Sequence, residues 1–143
     1  MANQTIERFG YPGTLIREFE HWVVVLRMDQ VTLGSLVLCA KSDATAFAAL
    51  PQDAFTEMAT VVAEIEAALT AAFQYDRINY VMLMMIDPNV HFHVLPRYEN
   101  ARSACGVSVT DAGWPGAPML AEARSLNEAE RDALIAHLSG FWQ

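Results

Sequence analysis

One long stretch of helical periodicity limits what this chain can fold into. Pro51 suits the start of such a helix, because a proline in the first turn has no intrahelical N–H partner to lose. From about residue 52 to 73, apolar side chains recur every three or four positions, at Phe55, Met58, Val62, Ile65, Leu69 and Ala72. This spacing predicts a helix with one buried face.

Strand-like segments lie on both sides of the predicted helix. Segments rich in β-branched and aromatic residues predict strands at 14–20, 21–27 and 33–40. Residues 78–86 are almost continuously apolar, which predicts an interior strand covered on both faces. We expect an α+β fold, in which an antiparallel sheet of about five strands packs one face against the long helix.

The C-terminal part adds a loop and a second helix. Residues 98–126 are rich in Gly, Pro, Ser and Ala, which predicts an irregular loop. Asn127 and Glu130 have the spacing of a capping box and predict where the last helix starts, with its inner side formed by Leu134, Leu138 and Phe141. The 143 residues are enough for one domain, with a core at about 14–98 and a loop and helix at 99–143.

Charge and composition argue against several classes of protein. The net charge is −8 and no stripe of Lys and Arg is visible, so nucleic acid is a poor partner, although a small anion remains acceptable. Cys39 and Cys105 lie far apart in sequence, which argues against a disulfide framework. We see no secretory leader and no apolar run that could span a membrane, so we expect a cytoplasmic protein.

Two closely spaced histidines mark the candidate site. On a strand, Asn89, His91, His93 and Arg97 would share one face, while the other face would carry Val90, Phe92 and Val94. Two imidazoles on a rigid strand can supply a nucleophile and a proton donor, or two nitrogen ligands for a metal ion. Periodicity alone leaves both possibilities open.

The surrounding residues resemble the signature of the histidine triad (HIT) family, in which three histidines alternate with apolar residues and Pro-Arg often follows. The matching string is Asn89-Val90-His91-Phe92-His93-Val94-Leu95-Pro96-Arg97, with Asn89 in place of the first histidine. The segment Gly34–Lys41 resembles an upstream strand of the family, with Ser35 in place of another histidine. The resemblance spans roughly residues 14 to 98 and implies a HIT-like fold and a homodimer.

The resemblance also implies a chemistry. His91 takes the place of a nucleophile that forms a covalent nucleotidyl-histidine intermediate, oriented by the backbone carbonyl of residue 89. His93 takes the place of a residue that contacts the reacting phosphate and assists the leaving group as a cationic donor or acid. The implied activity is hydrolysis or nucleotidyl transfer on a nucleoside phosphate ester, anhydride or phosphoramidate, without a cofactor. Further candidate substrate-binding residues are Asn89, Ser35, Arg97 and Arg27.

Two alternatives remain open. Met84–Pro88 lacks the glycine and hydroxyl residues common in the family's phosphate loop, so the chain could bind a nucleotide with little or no turnover. A metal-binding protein is the second alternative. It would use His91 and His93 with a third ligand such as Asp87 or Asp43.

Overall fold

A computed structural model describes residues 2–142, and these residues adopt the expected α+β fold. In chain order the elements are α1 (Gln4–Arg8), β1 (Leu15–Glu18), β2 (Trp22–Leu26), β3 (Asp29–Gln30), β4 (Leu36–Ala40), α2 (Gln52–Phe73), β5 (Arg77–Val81), β6 (His91–Arg97), β7 (Arg102–Ala104), β8 (Val107–Val109), β9 (Arg124–Ser125) and α3 (Glu128–Ser139). A short 3-10 helix at Phe47–Ala49 precedes α2. The strands form a five-stranded antiparallel sheet in the order β1-β2-β4-β6-β5, together with the two-stranded pairs β3-β9 and β7-β8.

Helix α2 has the predicted bounds, but its buried stripe is rotated from the predicted one. Phe55 is exposed and its ring packs against Phe47 instead of the sheet. The buried stripe includes two alanines, and such small side chains allow a helix to approach the sheet closely. The buried residues of α2 are Ala54, Val61, Ile65, Ala68, Leu69 and Phe73.

The sheet packs on both of its faces. The larger core lies under α2 and α3, where side chains such as Val24, Leu38 and Val94 meet Ile65 and Leu138. The opposite face carries a smaller cluster of Val23, Val25, Val37 and Cys39, which is covered by Ile6 of helix α1. Helix α1 therefore forms a separate layer on the face of the sheet opposite the long helix.

The predicted interior strand at 78–86 is wrong in length and position. Strand β5 ends at Val81 and lies at the edge of the sheet. Residues 82–88, which we call the rim loop, leave the sheet, and Met84 has a φ of 52° that ends the extended path. Met85 and Ile86 are 82% and 77% exposed, so apolar composition did not indicate burial here.

The C-terminal part is more ordered than predicted. A hairpin of β7 and β8 turns at Cys105 and Gly106, which both have positive φ, as a tight hairpin turn requires. The capping box of Asn127 and Glu130 is confirmed, since each side chain accepts a hydrogen bond from the other residue's backbone N–H. Phe141 lies beyond α3 and is partly exposed, which corrects its predicted core position.

The two cysteines are unpaired, and none of the described helices has the length and apolar character of a membrane span. Cys39 and Cys105 are both free thiols, as expected. Burial raises the pKa of the Cys39 thiol, so this residue behaves as a small apolar side chain. No helix between residues 2 and 142 is long and apolar enough to cross a membrane.

Candidate functional site

His91 and His93 lie on the sheet face that α1 covers, as the alternation of β6 predicted. Their ring centroids are 5.1 Å apart and their planes are almost perpendicular, at 85°. In the sheet they stand opposite Cys39 and Val37 of β4. Both are nearly enclosed, with exposed fractions of 2% for His91 and 6% for His93. The two imidazoles are therefore held rigidly and close together.

The hydrogen bond expected between His91 and the residue 89 carbonyl is present. The distance from His91 Nδ1 to the Asn89 carbonyl oxygen is 2.8 Å. A carbonyl oxygen only accepts, so Nδ1 must carry the proton and donate it. The lone pair of the neutral ring is then on Nε2. This fixed tautomer is what a nucleophilic imidazole requires.

His93 has a different environment. Burial is the main cause that lowers the pKa of His93 to about 4, and the charges of Arg27 and His91 contribute to the same shift. Its Nδ1 is buried and has no hydrogen-bond partner among residues 2–142. The ring is therefore neutral at pH 7 in the protein without substrate, and the cationic role expected for His93 requires that it gains a proton when substrate binds. A neutral imidazole still offers one N–H donor.

Arg27 supplies the positive charge at the site. It directly follows β2, and its Nη1 donates a 2.6 Å hydrogen bond to the Asp29 carbonyl oxygen. Its Nε is buried without a hydrogen-bond partner within the described residues. Arg27 is close enough to His93 for its charge to disfavour protonation of the imidazole. The guanidinium therefore has a free donor beside the histidine pair.

A cavity of about 240 Å³ brings these groups together. Both histidines, Arg27 and Phe9 line it, and the rim loop and Leu120 form its outer edge. A second cavity of about 210 Å³ shares Phe9 and Arg27 with the first. Drug-sized ligand sites are usually larger, at roughly 300 Å³ or more. The first cavity can thus enclose a phosphate group, while the rest of a nucleotide would extend past its edge.

Phe9 is a site residue that sequence reasoning missed. Its ring centroid lies 5.5 Å from that of His91 and 5.8 Å from that of His93. Ile6 and Phe9 are three residues apart, which is a helical spacing, and this weak signal could have indicated a short amphipathic helix. Leu120 lies in the Gly/Pro-rich segment, where no periodic pattern marks it.

Ser35 and Arg97, both expected to contact substrate, do not line the cavity and have hydrogen-bond partners elsewhere in the fold. Ser35 is fully buried, and its hydroxyl donates to the Thr32 carbonyl oxygen at 2.7 Å and accepts from the Thr32 N–H at 3.0 Å. Arg97 is buried in a bidentate pair with Asp111, at 2.6 Å from Nε to Oδ2 and 3.0 Å from Nη2 to Oδ1. Both side chains stabilise local structure.

The side chain of Asn89, expected to donate a hydrogen bond to phosphate, is bound to other parts of the fold. Its Oδ1 accepts hydrogen bonds from the N–H and the hydroxyl of Thr5, at 3.3 Å and 3.0 Å. Its Nδ2 donates to the Asp43 carbonyl oxygen at 3.0 Å. The side chain thus connects three parts of the chain through hydrogen bonds to Thr5 and Asp43.

A complete set of metal ligands is not found at the site. Among residues 2–142, no group of three or more His, Cys, Asp or Glu side chains is placed to hold a metal ion. Asp87, one of the proposed third ligands, lies 2.8 Å from Arg8 Nε and forms an ion pair with it.

Comparisons with known proteins identify a matching domain model and similar folds. The model of the HIT domain matches residues 8–100. A histidine triad protein from Sinorhizobium meliloti 1021 has a similar structure, with a TM-score of 0.76 and 22% identity over 99% of this chain and 96% of that one.

Two further solved structures are similar. A hypothetical histidine triad nucleotide-binding protein from Sulfolobus tokodaii strain 7 gives a TM-score of 0.70 and 16% identity over 95% of this chain and 87% of the other. A Zn-bound histidine triad family protein from Mycobacterium smegmatis gives 0.60 and 20% identity over 90% and 86%. No curated protein sequence matches this chain significantly.

Proposed function

Because this chain belongs to the histidine triad family, whose members bind or hydrolyse nucleotides, we propose that it is a nucleotide hydrolase or nucleotidyl transferase that uses His91 as its nucleophile. The substrate class is a nucleoside phosphate ester, anhydride or phosphoramidate, such as a dinucleoside polyphosphate. The observation that carries the proposal is the 2.8 Å contact of His91 Nδ1 with the Asn89 carbonyl oxygen, which leaves the Nε2 lone pair available.

In the proposed reaction, His91 Nε2 attacks the phosphorus atom. A P–N bond forms and the bond from phosphorus to the leaving group breaks. Water then attacks the same phosphorus, which breaks the P–N bond and restores His91, or another acceptor takes the nucleotidyl group. The proton stays on Nδ1 and its hydrogen bond to the Asn89 carbonyl oxygen is kept throughout, so this hydrogen bond stabilises the positive charge that develops on the ring.

Arg27 and His93 stabilise the phosphate in this mechanism. The unpartnered Arg27 Nε is a donor that can bind an anionic oxygen at no cost in existing hydrogen bonds. A bound phosphate also brings negative charge to His93, which favours the protonated imidazole. We propose that His93 takes up a proton when substrate binds, gives it to the leaving group and, once neutral, accepts a proton from the water that attacks the adduct. The free protein keeps the ring neutral until that point.

The competing function is nucleotide binding with little or no turnover. Three features favour it: Asn89 and Ser35 are used structurally, and the rim loop has apolar side chains where a phosphate loop would have donors. Zinc is a further possibility, because the relative from Mycobacterium smegmatis was solved with zinc bound. The two histidines of this chain would need a third ligand from solvent or from a partner.

Mass spectrometry of the acid-sensitive covalent adduct tests the proposal. The protein is mixed briefly with adenosine and guanosine phosphoramidates and with dinucleoside polyphosphates, with and without a metal chelator. We expect a nucleotidyl adduct in the wild type, no adduct in His91→Ala, and a longer-lived adduct in His93→Ala. His21→Ala, which removes a histidine outside the site, should behave as the wild type.

The outcomes separate the three functions. Nucleotide binding with neither adduct nor turnover for any substrate would contradict the proposal and support a binding protein. Loss of turnover with chelator, together with stoichiometric metal in the purified protein, would support a metal site.

We also propose a cytoplasmic homodimer. Light scattering on the purified protein tests the dimer, and a mass of one chain would refute it.

A further inference from the structure

We propose that Asn89 is a positioning residue, which fastens helix α1 over the histidine face and thereby sets the position of Phe9 against His91 and His93. This inference rests on the proposed function, in which the two imidazoles carry out the reaction. It assigns a role of its own to the position where a first histidine would be expected.

The hydrogen bonds between Asn89 and Thr5 are reciprocal. Thr5 donates through its N–H and its hydroxyl to Asn89 Oδ1, and the Thr5 hydroxyl accepts from the Asn89 backbone N–H at 3.2 Å. Both residues are buried. With the Asp43 contact, both acceptor positions and one donor of the Asn89 amide are used. Such an arrangement fixes the helix at a defined distance from the strand.

Helix α1 needs such tethers because it has only five residues, far fewer than a helix needs to be stable alone in water. Asn3 holds its start, donating from Nδ2 to the Ala40 and Ser42 carbonyl oxygens at 2.9 Å each. Ile6 packs into the small core, and Arg8 pairs with Asp87. Among these anchor points Asn89 is the one that also holds His91, through its own carbonyl oxygen.

The position of α1 determines the surroundings of the imidazoles. Phe9 follows the helix directly, and its ring contacts both His91 and His93. An aromatic ring there keeps water from the two imidazoles and makes a charge on His93 more costly. The other charged and titratable groups around His93 are Arg27, on the strand side, and Asp87, in the rim loop. If α1 shifts, His93 gains water and becomes easier to protonate.

A histidine could not replace Asn89 in this role. A neutral imidazole has one N–H donor and one acceptor nitrogen, whereas the Asn89 side chain accepts two hydrogen bonds and donates one. Asn89→His therefore restores the sequence of a full triad but breaks the attachment of α1. We expect this variant to lower turnover, whereas a degraded catalytic position would gain activity from the same change.

The experiment combines histidine titration by NMR with kinetics on the full-length chain. Thr5→Val removes the hydroxyl that links α1 to Asn89, and Thr5→Ser retains it. Tyr98→Phe is the matched control, because it removes a buried hydroxyl that donates to the Leu33 carbonyl oxygen at 2.7 Å in the larger core. Urea denaturation of each variant records the loss of stability separately.

We expect Thr5→Val and Asn89→His to raise the pKa of His93 from about 4 toward 6.5 and to lower kcat by about tenfold or more, with a smaller change in KM. Thr5→Ser should keep the values of the wild type. Tyr98→Phe should lose stability without a change in the His93 titration. Phe9→Leu tests the cover directly and should also raise the pKa of His93, even if Thr5→Val does not fold.

Three results would overturn the inference. They are an unchanged His93 titration in folded Thr5→Val, an unchanged titration in Phe9→Leu, and a gain of turnover in Asn89→His. A wild type without turnover on any nucleotide would refute the proposed function instead. The NMR titrations would still decide whether Asn89 positions Phe9 over the histidines.

Discussion

Replacing His93 by asparagine removes a buried imidazole that the fold holds uncharged, so it should change how stability depends on pH. The pKa of His93 is about 4 in the folded protein and 6.5 in an unfolded chain. Below pH 6.5 the unfolded chain therefore binds a proton that the native protein does not. Stability is lost as the pH falls from 6.5 toward 4, and the sign follows from the lowered pKa.

The size of this loss can be worked from the two pKa values. Between pH 7 and pH 5 the difference corresponds to about 2 kcal/mol if the whole shift acts on stability. Solvent that reaches the cavity screens the site, so we expect roughly 1 kcal/mol. The wild type should lose this amount more than His93→Asn over the same pH interval, because the variant has no imidazole to protonate.

Urea denaturation followed by tryptophan fluorescence at pH 7 and pH 5 measures the difference. Comparing the two proteins cancels the contribution of the other acidic groups. His21→Asn serves as the control and should leave the additional loss at pH 5 in place, because it retains His93. Equal losses in the wild type and in His93→Asn would refute the reasoning that burial keeps His93 neutral.

Three further predictions concern the framework of the site. Arg97→Met should lower the free energy of unfolding in urea by about 3 kcal/mol or more, because it leaves the Asp111 carboxylate buried without its partner. Weaker nucleotide binding at unchanged stability would instead support Arg97 as a substrate ligand. Gly34→Ala should lower the free energy of unfolding by about 2 kcal/mol, since the φ of Gly34 is 88° and a Cβ would lie 2.9 Å from the Phe73 ring. An unchanged urea midpoint would contradict this. Asn127→Ala should lower the free energy of unfolding by about 1 kcal/mol through loss of the capping box, and it should lower the helical circular dichroism signal near the melting temperature. Asn127→Ser should retain most of the stability and most of the helical signal.

The sequence predicted the features that depend on regular periodicity. The alternation in β6 correctly placed His91 and His93 on one face, since side chains on a strand must alternate. The bounds of α2 were also predictable, because a helix of 22 residues repeats its pattern several times. Asn127 and Glu130 marked the start of α3 because capping is a local interaction.

Features that depend on tertiary contacts could not be predicted in this way. The apolar residues Met85 and Ile86 form an exposed loop, although their composition is that of a core strand. Helix α1 is too short for periodicity to identify and exists through contacts with distant residues. The motif places Asn89, Ser35 and Arg97 where substrate ligands are expected, but only the structure shows that their side chains form hydrogen bonds within the fold.

The contact between Thr5 and Asn89 joins residues 84 positions apart in sequence, and this separation has a consequence for the order of folding. Closing so long a loop in a disordered chain costs about 4 kcal/mol of entropy. Pairing of β2, β4 and β6 lowers that cost by about 1 kcal/mol, because it already brings Trp22 and Ala40 close to residue 90 and leaves a shorter loop to close. The N-terminal helix should therefore dock after the central strands have assembled, and the histidine pair is then open to water until this last step.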